Sequence, residues 1–217
     1  RMSSRTHSQR AGVLAVEAPQ RPAEVVDRVD DRGLARAGRD GAAVLVGAVV
    51  RQLDVEKRAG KLGREAVDAL DRAIAEQREM KATMGLVWTH QDRATAALLQ
   101  SDYETARQHF SASLVDAAEA GGINSVPGSL EGMAGVAAVQ RQPGRAARLI
   151  GAAEALRETL GMVVQPAEQP IRARILSAVR AQLTEEALKT AWQAGRGFTA
   201  TQAIAEAQAL ARGASEG

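Results

Sequence analysis

The 217-residue chain is 45% hydrophobic but only 2% aromatic, so its core is built from Ala, Leu, Val and Ile, a composition that favours closely packed helices. Its 28 basic and 26 acidic residues nearly cancel, to a formal charge of +2, which argues against an electrostatic nucleic-acid binder. The absence of cysteine excludes disulfides, thiolate metal sites and a cysteine nucleophile.

Residues 1–40 hold Ser3, Ser4, Ser8, Pro19, Pro22 and scattered charges without a sustained apolar period, which predicts flexible backbone with a short helix near residues 23–28. The opening Arg1-Met2 reads as a fragment edge or a shifted start. Residues 42–55 carry Val44, Val46, Val49 and Val50; a lone strand has no partner here, and a buried helix is the preferred reading. The apolar run 42–50 is also far short of the ~20 residues that span a bilayer. With no signal-like leader, a soluble, cytoplasmic chain without membrane partners is expected. Arg51, Lys57, Arg58, Lys61 and Arg64 form a basic cluster, but Asp54, Glu56 and Glu65 interrupt it, as on a solvated helix face.

From Gly63 the helical period becomes clear. Val67, Leu70 and Ile74 form one stripe, with Asp68 and Arg72 on another face. A second helix is predicted over residues 85–100 and a third over Ala106, Phe110, Leu114 and Ala118, ending at Gly121-Gly122. After a loop at 123–128 comes a helix with Leu130, Met133, Ala134 and Ala137. The Gln142-Pro143-Gly144 turn then opens one that closes at Gly161. Pro166 and Pro170 rule out a continuous helix through the next linker. Beyond it Ile171, Ile175, Val179 and Leu183 recur every fourth residue. Thr184 caps a following helix with Leu188, Ala191 and Trp192, the indole buried against the Ile175/Val179 face beside Phe198. Thr199-Ala200-Thr201-Gln202 has capping-box spacing and opens the last helix, before a frayed 213–217.

The two central helix pairs superimpose at an offset of 40 residues: Ala106 on Ala146, Phe110 on Ile150, Ser113 on Ala153, with Ala94 and Ala134 as the small residues of the first helices. A helix–turn–helix recurring at about this period is the signature of a helical solenoid, and the small–large–small pattern on the second helices fits the tetratricopeptide type. The expected fold is therefore all-α, a superhelix of antiparallel helix pairs over 63–161 with a three-helix cap over 162–217, behind a poorly ordered arm at 1–62.

Residues 129–211 resemble the C-terminal end of bacterial ATP-binding regulators of the LuxR type and of related cyclase-linked proteins. The resemblance is carried by Leu130-Glu131-Gly132-Met133-Ala134-Gly135-Val136-Ala137-Ala138, then Gln142-Pro143-Gly144-Arg145-Ala146-Ala147-Arg148-Leu149, Gly151-Ala152-Ala153-Glu154-Ala155-Leu156-Arg157-Glu158, and Ala191-Trp192-Gln193-Ala194-Gly195-Arg196. It implies a signal-transducing NTPase whose nucleotide-binding core and DNA-binding module lie elsewhere. Gly60-Lys61-Leu62-Gly63 lacks the glycine turn and hydroxyl of a phosphate-binding loop, and no LuxR-type DNA-binding module follows Ala211.

No residue is assigned a catalytic, cofactor or metal role. His7, His90 and His109 lie in no ligand spacing, and a site at His90 and His109 would need carboxylates across two helices, so ordinary, partly exposed histidines are expected. Glu185-Glu186 suits a helix N-terminus better than acid–base chemistry. Gly151-Ala152-Ala153 reads as a close helix contact. Trp88, Gln91 and Arg93, on a first helix, are the candidates for a concave binding surface, although packing competes for Trp88. The expected function is non-enzymatic: an interaction and sensing region that takes a protein segment or small effector in its groove. The competing classes are an oligomerisation or scaffold module and a small helical hydrolase or truncated NTPase.

Overall fold

From Gly63 onward, Gly and Pro punctuation and alanine-rich apolar stripes at helical spacing favour helices packed on helices. The computed structural model describes residues 63–166 and 168–213. Eight α-helices follow in order: α1 Arg64–Glu79, α2 Thr83–Leu99, α3 Tyr103–Ala120, α4 Val126–Val139, α5 Pro143–Leu160, α6 Gln169–Arg180, α7 Glu185–Arg196 and α8 Ala200–Gly213. The described residues contain no strand, and none of their helices is long and apolar enough to cross a membrane. The arm at 1–62, the helix expected near 23–28, the segment 42–55, His7 and most of the basic cluster lie outside the described residues.

The paired register is buried as its spacing requires. Ala94, Ala106, Phe110 and Ser113 are at most 2% exposed, and so are Ala134, Ala146, Ile150 and Ala153. Helix α1 repeats the pattern once more at the same offset, with buried Leu70 in the place of Phe110 and half-buried Ala66 and Ala73 in those of Ala106 and Ser113. Small residues at the facing positions let α2 lie on α3 and α4 on α5. Gly132 of α4 takes this furthest, because the Phe110 ring occupies the space a Cβ there would need.

The turns are as regular as the helices. Lys81, Ser101, Gly121, Arg141 and Gly161 all have positive φ, between 53° and 70°, one every 20 residues. Each begins the same reversal, in which the next N–H reaches back to a carbonyl of the helix just ended: Ala82 to Gln77, Asp102 to Ala97, Gly122 to Ala117, Gln142 to Ala137 and Met162 to Arg157, all at 2.8–2.9 Å. A helix of four to five turns plus this reversal fills each 20-residue interval. The expected loop at 123–128 is shorter than its composition suggests. A 3₁₀ turn, Ile123–Ser125, leads straight into α4, and Pro127 sits in the first helical turn, where its missing N–H costs nothing.

Among the described residues helix α4 is the central one, buried along nearly its whole length by α2, α3, α5, α6 and α8. Helix α6 lies on it with Ile175 against Gly135, Ile175 and Val179 being buried and Ile171 and Leu183 partly so. Helix α7 packs on α5 far more than on α6. Its N-cap, Thr184, accepts the Ala187 N–H at 3.3 Å. The capping box of α8 is formed in both directions, Gln202 N–H to Thr199 Oγ1 at 3.2 Å and Thr199 N–H to Gln202 Oε1 at 2.8 Å. Ala203, Ala207 and Leu210 then bury α8 across α3, α4 and α5.

Two glycines decide how α5 and α7 meet. A Cβ on Gly151 would strike the Trp192 carbonyl, and one on Gly195 would strike the Arg148 carbonyl, so the backbones touch directly. Trp192 packs against the core but is half-buried, less enclosed than its sequence neighbourhood suggests, because α7 is drawn onto α5 and away from α6.

Candidate functional site

The first helices α2 and α4 carry few charges, only Asp92 and Arg93 on one and Glu131 on the other. Apart from His90 and Gln91 their remaining side chains are apolar or hydroxyl-bearing, and on α2 one apolar stripe reaches solvent. Trp88 is 40% exposed and Met84, one helical turn earlier, 45%. The Met84 sulfur lies over Gly122, 3.2 Å from where a Cβ there would be, beside Ile123, which is itself 41% exposed.

Of the three residues singled out by sequence, the structure leaves only Trp88 on this open face. Gln91 turns toward α4 and occupies the space above Gly128; its Oε1 is buried with no hydrogen-bond partner among the described residues. Arg93 points the other way, to α1, where its Nε donates to Asp71 Oδ1 at 2.8 Å. The geometry is set by the helix: positions 88 and 91 are about 60° apart around the axis, whereas 93 lies about 140° away from 88. Met84 and Ile123 were missed. Met84 was recoverable from its i,i+4 spacing to Trp88; Ile123 was not, because its place depends on how the α3–α4 turn folds back.

Three buried polar groups surround the first helices. Between α2 and α3, His90 and His109 meet Nδ1 to Nδ1 at 2.8 Å, with rings inclined at 38°. His90 Nε2 faces Asp116 Oδ2 at 3.8 Å, so the consistent proton arrangement has His109 donating to His90 and His90 turning its own N–H to Asp116. Contrary to the expectation of partly exposed histidines, His90 is only 2% exposed. Burial, then the charges of His109 and Arg78, lower its pKa to about 4. His109 is also lowered, by burial first and then by Arg93. Two nitrogens pointing along one hydrogen bond leave no room for a metal between them, since each would need ~2.0 Å to it. No group of three or more potential ligands gathers among the described residues.

The second group ties α4, α5 and α6 together. Glu131 receives both guanidinium nitrogens of Arg157, one of them at 3.0 Å, and Arg172 Nε at 2.8 Å. Glu131 and Arg157 are each 6% exposed, so this is a buried ion cluster in which every charge has a partner. In the third, Ser113 donates to the Val87 carbonyl at 2.9 Å and meets Ser129 at 3.0 Å. All three lock helices to one another and present no reactive atom to the open face.

No family model, curated protein or solved structure matches the chain. Elsewhere a shallow groove of about 510 Å³ between α5 and α7 is lined by Arg148, Thr184, Glu186, Ala187, Thr190, Ala191 and Ala194. It has Arg148 on one side and Glu186 on the other. Arg148 is already engaged, with Nη2 2.6 Å from Glu206 Oε1 of α8.

Proposed function

We propose that this chain is a non-enzymatic, tetratricopeptide-like interaction and sensing region, the kind of helical tail found in LuxR-type ATP-dependent transcriptional regulators. It binds a protein segment or a small effector on the face of its first helices, and ATP and DNA binding belong to other parts of such a regulator. One observation carries the reading. The residues that a helical-pair repeat needs small or large are buried at a strict 40-residue offset, while the α2 face between them stays open around Trp88. The capped α8 and the α4–α5–α6 ion cluster tie the helices of the far end to one another.

The test of the regulator reading is the coding sequence on both sides of this chain, read in all frames. The expected result is a phosphate-binding-loop domain and further helix pairs joined upstream. A start codon with unrelated genes on either side refutes the regulator assignment and leaves a stand-alone helical module.

A further inference from the structure

The two first helices present the same face in different states. Trp88, Gln91, Thr95 and Leu98 of α2 fall, at the 40-residue offset, on Gly128, Glu131, Gly135 and Ala138 of α4. Spaced three or four residues apart, each set lies on one side of its helix. The α2 set opens to solvent at Trp88, but the α4 set already carries α6. Arg172 Nε of α6 donates to Glu131 Oε1 at 2.8 Å, and just past the end of α6 Gln182 Nε2 donates to the Ala138 carbonyl at 3.0 Å. Between them Ile175 fills the space over Gly135. A Cβ on that glycine would lie 3.1 Å from Ile175 Cδ1 and 3.3 Å from Leu98 Cδ2, so Ile175 sits in the groove between the two first helices.

Beyond these contacts α6 buries only Val179, with Ile171 and Leu176 partly covered. Ala173, Arg174, Ser177, Ala178 and Arg180 are exposed, and no side chain caps its N-terminus. Its neighbours are held without it. Helix α7 is anchored on α5 by the backbone contacts at Gly151 and Gly195. Helix α8 is anchored by Ala203, Ala207 and Leu210, and by Arg107, which donates to the Ala211 carbonyl. Departure of α6 strands no charge either, because Glu131 keeps both guanidinium nitrogens of Arg157.

We infer that α6 is a displaceable strap, an internal ligand seated on the α4 half of the first-helix face, and that the partner which replaces it is an amphipathic helix of the same pattern. That pattern is a basic residue in the place of Arg172, then aliphatic residues three and seven positions on, as Ile175 and Val179 are. Glu131 selects the basic residue by a charge-assisted hydrogen bond, and the bare Gly135 admits a branched side chain. The inference rests on the interaction reading above and gives it a partner chemistry and a regulation, since partner and α6 exclude one another.

Hydrogen exchange on the unaltered chain is the first arm of the test. Amides of α6 should exchange about 100-fold or more faster than those of α4 and α5, with α7 and α8 protected. Equal protection of α6 and α4 overturns the strap and leaves the open face at Trp88 untouched. The second arm titrates a fluorescein-labelled peptide of residues 168–183 into the parent chain and into Ile175→Asp, whose own α6 cannot seat. The peptide should bind the variant about tenfold or more tighter, because the parent's site is filled by its own helix. A peptide that itself carries Ile175→Asp should bind neither. Equal affinity for the two proteins overturns the competition with α6. An α6 that opens while the peptide binds neither protein overturns the first-helix face as a binding surface, and with it the interaction reading. Loss of the helical circular dichroism of the whole chain in Ile175→Asp makes α6 integral to the fold and overturns the strap.

Discussion

Gly195→Ala adds one methyl group where α5 and α7 touch. It would lie 2.6 Å from the Arg148 carbonyl carbon and 2.7 Å from its Cα, and closer still to the oxygen. Carbon atoms rest at about 3.5–4.0 Å, so the helix axes must part by roughly 1 Å, and backbone in mid-helix cannot swing aside as a side chain does. Parting them loosens the whole α5–α7 contact. Alanine regains about 1 kcal/mol of helix propensity, while overpacking against backbone costs several, leaving a net loss of about 2–4 kcal/mol. For a domain of this size that is a fall in Tm of about 5–15 °C. The assay is guanidinium unfolding followed by circular dichroism, with Gly144→Ala as the control. Gly144 lies in the first turn of α5 with nothing within 4 Å of where the new methyl would sit, so the same substitution there should stabilise by about 0.5–1 kcal/mol. If both variants move the midpoint in the same direction, the backbone-contact argument is wrong.

Arg141 holds φ 59° at an exposed turn, so Arg141→Gly should raise stability by about 1 kcal/mol by relieving left-handed strain. A melting temperature at or below the parent's contradicts this. Gly121→Ala, at φ 70°, should do the reverse. Removing the carboxylate in Glu131→Ala leaves the buried Arg157 only a 3.8 Å approach to the more exposed Glu168 and should cost about 3 kcal/mol, much of it recovered when Arg157→Met is added; a double variant no better than the single refutes the account. Stability should also fall with acid. His90 is held neutral in the fold to about pH 4 but takes a proton at its ordinary 6.5 when unfolded. The unfolded state therefore binds more protons in that window, and the contribution present above about pH 6.5 is lost as the pH falls toward 4, about 3 kcal/mol in all. His109 shifts in the same direction. In His90→Asn the pH profile of unfolding free energy should be flatter between those limits, and an unchanged slope counts against the buried-histidine explanation.

Helix identity was legible because its signals are local: alanine spacing, Gly121 and Gly161 as stops, Pro143 as a start, Thr184 and Thr199 as caps. The turns at Lys81, Ser101 and Arg141 were less so, since side chains that normally avoid positive φ give no warning of it. Contacts across a single hairpin were recoverable in principle. His90 and His109 lie on the two helices of one hairpin, 11 residues before and 8 after Ser101, and meet across it. What the chain concealed were contacts that depend on how one pair meets the next. Arg93 reaching Asp71, Gln91 filling the space over Gly128, and Trp192 half-uncovered by the drift of α7 onto α5 all follow from packing angles that no one-dimensional spacing encodes.

The five left-handed residues spaced every 20 positions also make the array modular in length. Ser101 and Arg141 adopt nearly the same conformation, φ 63° and 59°, and close equivalent helix pairs, Ala94 with Ala106 and Ala134 with Ala146. A chain cut before Ser101 and rejoined at Arg141 would set α2 directly on α5, small residue against small residue, with the reversal intact. Such matched cut points let a chain lose forty residues with the same reversal at the junction, but the cap would then lose Gly135 and Glu131 of α4, on which Ile175 and Arg172 of α6 rest, so the unit that carries the cap is not interchangeable with the one before it.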